Sequence, residues 1–140
     1  MNHIGWALIG MAGYSTTTLL VKLATRTGEI GAYAVLAIAT TIVAISAWVM
    51  ALASGQFSER LVGFQTGTLY ALATGIALTI AVSSLFRALS LGPASVVVPI
   101  YGMFILGGAV LGIAFLQEAL TIQKVIGLLL AIAGVVLVAS

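Results

Sequence analysis

Charge is what this sequence has least of. Among 140 residues there are five Lys and Arg, three acidic residues and one His, so only 6% are charged while 62% are hydrophobic. A water-soluble domain needs far more charge than that to coat its surface. Lipid is therefore the expected solvent for most of the chain. Cysteine is absent, which excludes disulfides and thiolate metal sites and leaves the redox compartment unread. There is no aspartate, and the acidic residues are Glu29, Glu59 and Glu118. With His3 as the only histidine, the chain has too few ligands for a metal cluster. It also has no nucleophile–base pair for an enzyme site, so neither catalysis nor a cofactor is expected. The net charge of +2 is scattered and gives no nucleic-acid surface.

What is present is hydrocarbon in long runs. A helix crossing the membrane needs roughly 20 mostly apolar residues. Charges and glycines divide the chain into five such runs, at about 4–22, 31–53, 67–89, 93–116 and 121–139. They are continuously apolar, whereas barrel strands alternate. The expected fold is an all-α membrane bundle of five spans in one domain, 1–140. The first run lacks a preceding basic region and is read as a retained helix. Trp6, Tyr33, Trp48 and Tyr70 lie near span ends, as interfacial anchors do. The segment 54–66 mixes Phe57, Leu61 and Phe64 with Glu59 and Arg60 and suits the membrane surface.

The two prolines fall together in LFRALSLGPASVVVPIYG, residues 85–102. Gly92 in a left-handed conformation would end the third helix. Pro93 suits the first turn of the fourth. Pro99 falls inside that helix and deprives the Ser95 carbonyl of its donor. It is either a bend lining a pathway or a packing kink.

Polar side chains inside the spans are the candidate site. Tyr14, Thr18 and Lys22 recur every four residues and share a helix face. Ser15, Thr16 and Thr17 crowd the same region. These hydroxyls either line a cavity or bond back to their own helix. Tyr14 lies roughly 15 Å from either end of its span, and its O–H needs a partner. Tyr101, beside Pro99, has the same need. Arg87 sits about 7–8 Å below the end of the third helix. It either snorkels to the headgroups or attracts an anion. Glu118, at the end of the fourth span, reads as structural, and within one copy it would meet Arg60 or Lys124.

Five spans place the termini on opposite sides. One face carries Arg60 and Lys124, the other Lys22, Arg26 and Arg87. A difference of one basic residue barely selects an orientation. The alternatives are a mixed population with inverted copies, or one orientation weakly biased.

Residues 85–138 resemble the drug/metabolite transporter superfamily, specifically its EamA-type unit. ALSLGPASVVVPIYG at 88–102 and FLQEALTIQKVIGLLLAIAGVVLV at 115–138 carry the resemblance. Trp6 and Lys22 add a weaker match in the first helix. The family's common member has ten helices in two inverted halves, and this chain is similar to one half. The resemblance implies a homodimer, with antiparallel pairing of inverted copies as one form. In such a pair Arg87 of one copy would reach Glu118 of the other. The last helix is also similar to that of the small multidrug exporters, which dimerise through it. Here Gly127, Ala131 and Gly134 share a face, and small residues let helices approach in lipid, either between copies or within one copy. Gly108 and Gly112 form a second pair. At the position where those exporters carry a membrane-embedded acid, this chain has Tyr14, and a phenol titrating near ~10 does not cycle a proton at neutral pH. The implied function is movement of a small organic metabolite or a lipid-linked headgroup by alternating access in a bacterial or archaeal inner membrane. Tyr14 and Tyr101 would supply hydrogen bonds, with Thr18 beside them. Pro99 would supply the bend, and Arg87 or Lys22 attraction for anions. The alternative is a non-transporting small subunit that packs on a partner membrane protein.

Overall fold

The computed structural model describes residues 3–56, 66–117 and 119–139. Six helices form in chain order: α1 (His3–Arg26), α2 (Ala32–Ala53), α3 (Thr66–Leu91), α4 (Ala94–Gly102), α5 (Phe104–Leu116) and α6 (Ile122–Ala139). No strand occurs among the described residues. α1, α2, α3 and the combined stretch Ala94–Leu116 are each long and apolar enough to cross a membrane. At 1.5 Å per residue the 24 residues of α1 span about 36 Å. The apolar part of the last helix, Ile122–Val138, is shorter. No more than 11% of any spanning window is buried within the chain. Side chains such as Ile42, Ile45, Ile76 and Ile80 stand outward. In water that surface would be prohibitive, but in hydrocarbon it costs nothing.

The chain divides into two compact units, Met1–Leu91 and Gly92–Ser140. In the first, α3 packs on both α1 and α2, and α1 also touches α2. The buried residues gather towards the end of α1 and of α3: Thr18, Val21, Leu85, Phe86 and Leu89, with Ala32 at the start of α2. Leu85 and Leu89 are four residues apart and so share the face of α3 that is sealed from solvent.

Local chemistry sets the ends. α2 closes with Gly55 at φ 66°, its N–H bonded to Leu52 O, while Gln56 N–H bonds Ala51 O. This paired closure uses a left-handed glycine to satisfy orphaned carbonyls. α1 runs on to Arg26, four residues past the expected end. Thr25 and Thr27 donate to the carbonyls of Val21 and Ala24 there, and Gly28 turns the chain at φ 74°.

The backbone at Gly92–Pro93 departs from expectation. Gly92 is not among the positive-φ residues. The chain bends at Gly92 without a positive φ, and Pro93, extended at φ −67°, ψ 139°, stands just before α4 rather than in its first turn. Its carbonyl accepts from the N–H groups of Val96 and Val97, so the proline starts the helix as its cap.

In the second unit α4 packs against α6. The fourth span is interrupted, but not at Pro99. α4 continues through Pro99 to Gly102, and the break falls at Met103. There Met103 N–H bonds Ile100 O at 3.1 Å, and Leu106 N–H bonds Met103 O at 2.9 Å. Both bonds reach three residues back instead of four, the tighter 3₁₀ pattern. The donor missing at Pro99 would have served Ser95 O, one turn earlier, and Gly102, a residue that weakens helix interiors, stands directly before the break. α5 ends at Gln117, left-handed at φ 56°. α6 begins under Thr121, whose hydroxyl accepts from Lys124 N–H at 3.3 Å, a standard N-terminal cap.

Candidate functional site

Periodicity places a polar-edged cavity at mid-depth in the first unit. On α2, Leu36, Ala39, Thr40 and Val43 recur at helical spacing on one face. On α3, Leu78, Thr79, Val82 and Leu85 do the same. α1 contributes Tyr14 and Thr17. The half-open space is about 610 Å³, lined by 13 residues, within the range of small-molecule sites. Eight of those residues carry hydrocarbon side chains. The other five are Tyr14, Thr17, Thr40, Thr79 and Ser83, so hydroxyls from all three helices meet one space, and none of the lining side chains is charged.

The hydroxyls are not idle. Thr17 donates to Gly13 O at 3.0 Å, Thr40 to Leu36 O at 2.8 Å and Thr79 to Gly75 O at 2.8 Å. Each proton is committed to its own helix, while the oxygen keeps lone pairs that can accept. Ser15 and Thr16, which do not line the cavity, bond back in the same way, to Met11 O and Ala12 O.

Tyr14 lines the cavity and is 45% exposed. Thr18 does not line it. That side chain is buried and donates to Ser15 O at 2.8 Å, and its neighbour Thr17 takes the cavity position. Lys22 turns away to α3, where Nζ donates to Leu89 O at 2.9 Å. That carbonyl belongs to the last turn of α3, whose carbonyls have no partner within the helix. The ammonium also meets the negative end of the α3 dipole. Arg87 is exposed on α3 and does not line the cavity. Tyr101 belongs to the second unit. It is half-buried on α4, and its ring meets Phe104 edge-on, 5.8 Å between centroids at 61°.

Also in the second unit, Gly127, Ala131 and Gly134 are all exposed on α6. A Cβ added at either glycine would meet nothing within 4 Å. Gly112 is buried, whereas Gly108 is open. Glu118, Glu59, Arg60, Phe57, Leu61 and Phe64 lie outside the described residues, so the reading of Glu118 as a structural partner falls there, as does that of 54–66 as a surface segment for its residues 57–65. No group of three metal-ligating side chains occurs among the described residues.

The sequence offered no reason to single out Thr40, Thr79 or Ser83. Thr79 is one hydroxyl in an apolar run, Thr40 and Ser83 each adjoin a second hydroxyl, Thr41 and Ser84, and only the packing of α2 and α1 on α3 turns the three to a common space.

A bundle of long apolar helices, scarcely buried by its own chain and holding an uncharged mid-depth cavity, is an integral membrane protein. The chain matches the EamA-like transporter family over residues 1–140, and it belongs to that family. No curated protein and no solved structure gives a significant match.

Proposed function

We propose that this protein moves a small organic solute across a membrane by alternating access, with the two compact units acting as one EamA-type domain and two copies acting together. A lipid-linked headgroup is the other cargo of this reading. The observation that carries it is membership of a transporter family over the whole of residues 1–140. The cavity supports it, since transporter binding sites lie near the bilayer midplane. Tyr14 and Thr17 are 11 and 14 residues into α1, about 17–21 Å from its start. The open small-residue face of α6 supports pairing of copies. With inverted partners the pair would restore the two halves of a ten-helix transporter, and the one-residue difference in basic residues between the two faces is compatible with dual insertion.

The decisive experiment is reconstitution of the purified chain, alone, into liposomes loaded with a mixture of small metabolites. Protein-dependent loss of one solute class is the expected result. No flux, together with specific co-purification of another membrane protein, would replace this reading with that of a packing subunit.

A further inference from the structure

We infer that the cavity among α1, α2 and α3 takes an uncharged, mainly hydrocarbon molecule that donates a hydrogen bond to a threonine oxygen. This deepens the transport reading and rests on it. Size comes first: about 610 Å³ accommodates a molecule of several rings or a short branched chain, with room to turn.

Charge comes next. None of the 13 lining side chains is ionisable below the range of a phenol. The described helices contain no Asp or Glu at all, so a cation entering the cavity finds no counter-charge there. An anion fares no better. Lys22 is engaged with the Leu89 carbonyl, and Arg87 is not part of the lining. An ion moved out of water without a partner loses several kcal/mol of hydration.

Hydrogen-bond polarity sets the last criterion. Thr17, Thr40 and Thr79 have given their protons to Gly13, Leu36 and Gly75. What they offer a guest is lone pairs. A hydroxyl or amide N–H on the guest matches them, whereas a carboxylate or phosphate would set lone pairs against lone pairs. A fatty-acyl chain fills the volume but leaves acceptors from three helices unused. A donor-bearing guest uses them, and each such bond separates it from its donor-free analogue. Ser83, half-buried, can donate or accept.

A set of probes with one ring system isolates these terms: 1-naphthol, naphthalene, 1-naphthoate and 1-naphthylmethylammonium. Each is measured by equilibrium binding to the full chain in lipid nanodiscs, with empty nanodiscs subtracted to remove partition into lipid. Saturable binding of 1-naphthol is expected, with naphthalene at least about fivefold weaker and neither ion saturable. Thr40→Val and Thr79→Val should each weaken 1-naphthol about 3–10-fold and leave naphthalene unchanged, because they remove an acceptor at nearly constant volume. Ala39→Trp should abolish binding by filling the space. If Ala39→Trp does not fold, the two valine variants decide alone. Equal or tighter binding of either ion overturns the proposal. So does equal binding of naphthalene and 1-naphthol, which would mark an acyl-chain groove. Failure of 1-naphthol to bind, alongside liposome flux of a charged solute, removes the ligand class and leaves transport standing. Saturable 1-naphthol binding with no flux of any solute does the reverse.

Discussion

Replacing Lys22 by Met should loosen α1 from α3 even though the new side chain is about as long and more at home in lipid. Lys22 Nζ sits 2.9 Å from Leu89 O. That oxygen lies in the last turn of α3 and has no helical donor. Losing a hydrogen bond to a charged group costs about 1.5–3 kcal/mol. The macrodipole adds about 0.3–1 kcal/mol, since the ammonium complements the helix C-terminus. Against this, Met avoids the desolvation of a half-buried ammonium, so the net loss should fall near the lower end, about 1.5–2 kcal/mol. The measurement is reversible unfolding of the purified protein in mixed micelles against SDS fraction, for the parent, Lys22→Met and Lys22→Arg. Lys22→Arg keeps the charge and the donors and should recover at least half the loss. The reasoning fails if Lys22→Met unfolds within about 0.5 kcal/mol of the parent, because the bond would then contribute no more than an ordinary surface contact.

Three further outcomes follow from the same structure. Leu89→Ala, which truncates the side chain most completely sealed between helices, should cost about 2–5 kcal/mol in the same unfolding assay, whereas Leu91→Ala, at an exposed position, should stay within about 0.5 kcal/mol. Tyr14→Phe should reduce liposome flux several-fold through loss of a cavity hydroxyl, and unchanged flux in both Tyr14→Phe and Tyr101→Phe would remove the two phenols from the pathway. Gly127→Leu with Gly134→Leu should shift cross-linked dimer to monomer by well over half if α6 faces meet across copies, and an undiminished dimer band would place the contact elsewhere.

Much of the architecture was legible because a single physical constraint dominates. A backbone in hydrocarbon must satisfy its own hydrogen bonds, so long uncharged runs can only be helices. The runs at 31–53, 67–89 and 93–116 accordingly meet α2, α3 and the α4–α5 stretch within a few residues. Errors arose where the outcome depends on local backbone detail. A glycine after α3 suggests a left-handed closure, but Gly92 bends the chain at negative φ and an extended Pro93 follows it. Pro99 lies inside α4, and the helical hydrogen-bond pattern is interrupted one turn later, at Met103.

The site divides in the same way. Tyr14 stood out as a phenol deep in an apolar span, and composition alone showed that no embedded acid accompanies it. Thr18 and Lys22 share its helix face, but sharing a face does not give a shared destination. Thr18 is buried with its hydroxyl bonded to Ser15 O and Lys22 reaches across to α3, while Thr17, about 100° round the helix, meets the cavity. Hydrophobic content, set residue by residue along the chain, fixed the solvent and the helices. Which hydroxyls face each other depends on how α1 and α2 rotate as they pack on α3, and that rotation is a property of the assembled helices, not of any one stretch of sequence.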